Sequence, residues 1–198
     1  MSRGRSLAVA LVFEGGLLVL AFVLGLVTGT APFRLLHFSV PGVTVGVLAG
    51  LGLFGILAPA TRSGWPPIAR LEEIVREFVA QFFARATLLD LALVSALAGI
   101  AEEALFRGVL QVALLGVVGT VPAVGIAAAL FGLAHFITPT YAIAATMIGT
   151  LLGALLVTTG DLAAPIVAHA LYDFLALTWL VRTTDRARTC TPGPNAVG

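Results

Sequence analysis

Six apolar stretches, at 7–28, 40–58, 88–116, 121–137, 141–159 and 162–181, take up most of this chain of 198 residues. Each is near the roughly 20 residues that a helix needs to cross a bilayer. Hydrocarbon offers no partner to a backbone N–H or C=O, so such stretches satisfy these groups internally, as helices. The expected fold is all-α: a polytopic membrane helix bundle of about six transmembrane helices plus one amphipathic interfacial helix. Composition agrees, since a chain 59% hydrophobic and 11% charged is too apolar for a soluble domain. A net charge of +1 argues against nucleic acid as a partner. The basic start from Ser2 to Arg5 leads into a run with no small-residue cleavage site followed by a soluble body. The first stretch is therefore expected to stay as a helix. Cys190, the only cysteine, lies in a Pro/Gly-rich tail, which excludes an internal disulfide and a thiolate zinc site.

Charge sets the expected topology. Arg3 and Arg5 place the N-terminus in the cytoplasm by the positive-inside rule. Two crossings later the chain is back on that side, where Arg62, Arg70, Arg76 and Arg85 accumulate. An even number of spans returns Arg182, Arg186 and Arg188 there too, and only Arg34 falls in an outer loop. Both termini are thus expected in the cytoplasm. Arginine without lysine, with Ala, Gly, Val and Leu dominant, points to a high-GC, prokaryotic source and so to a prokaryotic cytoplasmic membrane. Residues 1–182 read as a single transmembrane domain with a motif-bearing core at 88–181, and 183–198 as a disordered cytoplasmic tail.

Residues 67–85 differ in kind. Ile68, Leu71, Ile74, Val75, Phe78, Val79, Phe82 and Phe83 follow a helical repeat, and Arg70, Glu72, Glu73, Arg76, Glu77 and Arg85 fill the other face. This pattern predicts an amphipathic helix at the cytoplasmic interface, either a connector that covers the bundle or a gate for substrate. Gly42, Gly46 and Gly50, and again Gly149 and Gly153, recur at the four-residue spacing that lets helices approach closely.

Ionisable residues inside the apolar stretches are costly in a membrane and mark a functional site. Glu103 and Arg107 are four apart on the third stretch, share a face and can pair, while Glu102 is turned about 100° away. The spacing divides the labour: Arg107 neutralises and orients Glu103, and Glu102 is free to face the bundle interior. A buried carboxylate there suits a general base. Phe131 and His135 share a face of the fourth stretch, where Phe131 can wall the site. His169 and Asp173 share a face of the sixth, where Asp173 can fix the histidine tautomer. At 1.5 Å per residue Glu102 and His169 come out about level, and His135 nearer the inner edge. Glu14, in the first stretch, has no evident partner. Asp90 and Asp161 sit at span ends, as caps or boundaries.

Glu102-Glu103-x-x-x-Arg107, then Phe131-x-x-x-His135, then His169-x-x-x-Asp173 resemble the three ordered motifs of the CPBP intramembrane proteases. That family includes the type II CAAX prenyl proteases and the bacteriocin-processing and self-immunity proteins, also called the Abi family. The resemblance covers residues 88–181. It implies hydrolysis of a peptide bond in a membrane-associated protein or peptide by glutamate-activated water. Glu102 resembles the general base, Glu103 and Arg107 the pair that positions it, and His135 the residue that helps bind the water. His169 and Asp173 resemble the pair that faces the oxyanion. An ionised Asp173 would repel an oxyanion, so its role is either to orient His169 or, protonated as a buried site permits, to face the oxyanion itself. Members are described both as metalloproteases and as glutamate-dependent enzymes without an obligatory metal. Glu102, His135 and His169 are the candidate ligands for a divalent ion such as zinc, although no HExxH helix is present. Two other readings use the same residues: a proton-coupled transporter, against which no internal repeat is found, and a non-catalytic membrane scaffold.

Overall fold

The computed structural model describes residues 2–61 and 64–189, with side chains described to residue 183. It is helical throughout its regular structure. In order come α1 (Arg3–Thr28), α2 (Val40–Ala60), α3 (Pro66–Phe83), α4 (Leu88–Glu103), a π-helical stretch (Ala104–Gln111), α5 (Val112–Val118), α6 (Thr120–Ala134), α7 (Pro139–Thr159) and α8 (Ala163–Thr189). Among the described residues no strand occurs.

Each of the six apolar stretches is helical over most of its length. By length and composition α1, α2, α7 and residues 163–183 of α8 can each cross a membrane alone. Leu88–Val118 passes that test only together with α3, to which it is joined at a 115° bend. At 15 residues, α6 is about 22 Å long and falls short of a ~30 Å hydrocarbon core. It stops at Ala134, before the expected 137, where His135 leaves the helical dihedrals (φ −96°, ψ 18°) while its N–H still closes the last turn on the Phe131 and Gly132 carbonyls. The domain end expected at 182 falls within α8. The remainder of the expected tail, 190–198 with Cys190, lies outside the described residues.

Local chemistry explains where the helices begin. The Ser39 hydroxyl accepts from the Gly42 amide at the start of α2, and the Thr138 hydroxyl from the Tyr141 amide at the start of α7, each with a proline in the first turn. Thr87 and Asp90 form a capping box at α4, so Asp90 is a cap as expected. Asp90 also receives a two-pronged ion pair from Arg3, at 2.6 and 2.9 Å, which ties the start of α1 to the start of α4. At the far end of the bundle Asp161 accepts from the backbone amides of His37, Ser39 and Ala163 and from the Ser39 hydroxyl, at 2.7–3.0 Å. Phe38 between the first two amides takes φ +51°, a left-handed conformation that turns both toward the carboxylate. Burial pushes the Asp161 carboxyl up, but the Ser39 hydroxyl and the three amides outweigh it. They hold it well below the usual carboxylate range.

The glycine stripe of α2 does what its spacing predicts. A Cβ on Gly46 would lie 2.6 Å from the Ala164 carbonyl oxygen, and one on Gly50 2.8 Å from that of Ala168, so α2 and α8 meet backbone to backbone. α8 also packs along α4, which brings the motif-bearing faces of both helices together. The outer surfaces of α1 and α2 stay apolar and uncovered, as at Leu26, 85% exposed, and Val40, 80% exposed, and are left for lipid. The amphipathic α3 buries Val79 and Phe83 against Leu91, Val94 and Leu180. Arg76 reaches from it to the Thr183 hydroxyl, 2.8 Å away on α8.

Candidate active site

All six ionisable motif residues converge. Arg107, fully buried, donates from Nη1 to Glu103 Oε1 at 2.9 Å and from Nη2 to the Gly149 carbonyl of α7 at 2.8 Å. The expected Glu103–Arg107 pair is thus formed. His169 Nδ1 sits 2.8 Å from the same Glu103 oxygen, so this carboxylate also orients the histidine of α8. His169 Nε2 faces Asp173 Oδ2 at 3.5 Å. The result is one line, Arg107–Glu103–His169–Asp173, buried as far as His169 and ending on the half-buried Asp173, that crosses from one motif to another.

Glu102 and His135 stand beside that line. His135 Nε2 lies 3.6 Å from Glu102 Oε2, so the gap in depth expected between them is closed. His135 Nδ1 is 2.8 Å from the Phe131 carbonyl. A carbonyl oxygen only accepts, so Nδ1 carries the hydrogen, and in the neutral ring Nε2 is an acceptor. Phe131 does more than wall the site. Its ring lies under the Arg107 guanidinium at 4.6 Å and contacts the rings of His135 at 4.4 Å and His169 at 5.9 Å.

A cavity of about 390 Å³ reaches this pair. Glu102 and His135 provide polar lining, and Phe13 and Leu17 of α1, Ile74, Val75 and Phe78 of α3, Phe106 and Tyr141 complete much of its wall. α3 therefore both covers the bundle and borders the space in front of Glu102. Tyr141 was not singled out by its spacing, and nothing in its local sequence marks it.

The stretch after Glu103 is a π-helix, wider than the continuous α-helix that a uniform 100° step assumes. In it Phe106, Arg107, Val109 and Gln111 are all buried. Gln111 donates to the Gly153 carbonyl at 3.0 Å, one turn along from the Arg107 bond to Gly149. Gly149 and Gly153 thus leave two backbone acceptors bare for buried polar side chains, a role beyond the close approach that their spacing suggests. Gln111 escaped the sequence reading. The signal was its i+4 relation to Arg107, matched by the Gly149–Gly153 step.

The possible metal ligands do not make a set. Both His169 nitrogens already face carboxylates, Glu103 and Asp173. Among the described residues no three His, Cys, Asp or Glu side chains are grouped to hold an ion. The donors present do not fit a three-ligand catalytic zinc site.

A polytopic membrane bundle with a buried cluster of Glu, Arg and His behind an apolar cavity is the class that fold and site define. Residues 84–175 match the family described as Type II CAAX prenyl endopeptidase Rce1-like. That stretch, somewhat under half of the chain, is similar to this family, and all three ordered motifs lie in it. No curated protein and no solved structure matches the chain.

Proposed function

We propose that the chain is a CAAX-protease-like intramembrane endopeptidase that acts on a membrane-associated protein or peptide. The observation that carries this reading is the Glu102–His135 pair at the apolar cavity. Two acceptors 3.6 Å apart are suited to a water that donates one hydrogen to each, with its oxygen lone pair toward the cavity. Glu102 takes a proton from that water as the oxygen attacks the peptide carbonyl carbon. It then returns the proton to the leaving amine as the C–N bond breaks. Glu103 and Arg107 hold the framework. His169 gives its Nδ1 hydrogen to Glu103, so its Nε2 donates to an oxyanion only from the imidazolium, which Glu103 and Asp173 favour. Asp173 orients that nitrogen. No step is routed through a metal. The transmembrane domain is 1–182 with both termini cytoplasmic, in a prokaryotic membrane, and the α3 end of the bundle is the cytoplasmic end.

The test compares peptide termini in membranes of cells with wild-type protein or Glu102→Gln at matched expression. New termini present only with wild type support proteolysis and name the substrates. Identical termini in a host that contains the natural partners would turn the reading toward a transporter or a scaffold.

A further inference from the structure

The buried polar cluster has one acidic neighbour that the three motifs do not contain. Glu14 on α1 is only 7% exposed, and its Oε2 has no hydrogen-bond partner among the described residues. The Arg3–Asp90 ion pair sets α1 and α4 in register. Glu14 then lies about 16 Å along α1 from that tie, and Glu102 about 18 Å along α4, so the two share one depth. A carboxylate buried that far in has not snorkelled to the interface.

Its surroundings point the same way. Phe13 and Leu17, on either side of Glu14, line the cavity that Glu102 and His135 share. Leu17 and Leu18 pack on the cluster that includes Ala104, Leu105 and Phe106, directly after Glu103. At that depth an ionised Glu14 carries charge of the same sign as Glu102 and Asp173 and opposite to a protonated His169. The charged groups of this neighbourhood are Glu102, Glu103 and Arg107 from α4 and the π-helical stretch, His135 after α6, and His169 and Asp173 from α8. An unpartnered carboxylate costs an anchoring span free energy that a leucine would not.

We propose that Glu14 is a positioning residue of this site, acting by charge through His169 and Glu102. Its carboxylate adds to Glu103 and Asp173 in stabilising positive charge on the His169 ring and opposes negative charge on Glu102. The placement stands on the geometry, and its catalytic consequence rests on the protease reading.

The test uses the full chain with ¹⁵N-labelled histidine, purified as wild type and Glu14→Gln, with His169 assigned by its loss in His169→Asn. Glu14→Gln is expected to move the His169 ring nitrogen resonances and leave those of His37, at the far end, in place. Unmoved His169 resonances overturn the proposal. On a substrate identified from the membrane termini, Glu14→Gln and Glu14→Leu should lower kcat about tenfold with KM within about twofold, and Glu14→Asp should restore most of it. Glu14→Leu should melt in detergent at or above the wild-type temperature. A melting temperature that falls in step with kcat in every variant assigns Glu14 a structural role and overturns the proposal, as does an unchanged kcat. If Glu102→Gln leaves the termini unchanged, the protease reading fails by itself, and the His169 resonances still decide the placement of Glu14.

Discussion

Arg107 is wholly buried and serves two acceptors at once, the Glu103 carboxylate and the Gly149 carbonyl. Removing it leaves a carboxylate buried without its cation. Arg107→Ala is expected to cost about 3–5 kcal/mol in unfolding experiments in detergent, and Arg107→Lys to fall short of rescue, since an ammonium does not reproduce the planar fork. Glu102 predicts the opposite profile. It pairs only loosely with His135, so Glu102→Gln should keep the melting temperature and lower kcat by about 10²- to 10⁴-fold on a substrate found from the membrane termini. Spacing made the Glu103–Arg107 and His169–Asp173 partners legible, because residues four apart on a helix face the same way. The Glu103–His169 bond was not legible. It joins α4 to α8, and which helix faces meet is a matter of packing that no local pattern carries.

At the scale of elements, the glycines divide by what they touch. Gly46 faces the Ala164 carbonyl of α8, whereas a Cβ on Gly52, on the same helix, meets nothing within 4 Å. Gly46→Ala should therefore destabilise by about 1–3 kcal/mol, and Gly52→Ala should be neutral or stabilise by up to about 1 kcal/mol. Paired melting curves in one detergent decide this. Asp90 was readable as a boundary residue and caps α4, whereas the start of α7 at Pro139, two residues before the expected 141, is set by the Thr138 cap. The π-helical stretch was unreadable, because its wider turn answers to contacts across the bundle. One such contact is Gly108, where any side chain would collide with the Pro32 carbonyl. α3 joins a sequence expectation to a site: Ile74, Val75 and Phe78 wall the cavity before Glu102. Ile74→Trp, which fills that space, is expected to raise KM or block cleavage while the melting temperature holds, as steady-state kinetics and melting on one preparation would show.

For the whole molecule, two polar fastenings hold the apolar bundle, Arg3 with Asp90 at one end and Asp161 at the other. Asp161 is held below its unfolded value of about 3.9 by the groups that donate to it, so its contribution is complete above that pH and is lost as pH falls below it. The difference in melting temperature between wild type and Asp161→Asn should be largest near neutral pH and shrink below about pH 4. A constant difference across that range would show that the carboxylate charge plays no part. The sequence by itself determined that the chain is a helical membrane bundle, because apolar stretches of this length have no other way to satisfy their backbones in lipid. It also determined which side chains pay to be there, because each ionisable group in such a stretch stands out by its cost. Only the tertiary structure decided which of them meet. His169 reaches Glu103, Glu14 joins their depth and the candidate metal ligands part company, because helix register and crossing are set by close packing between segments distant in the chain.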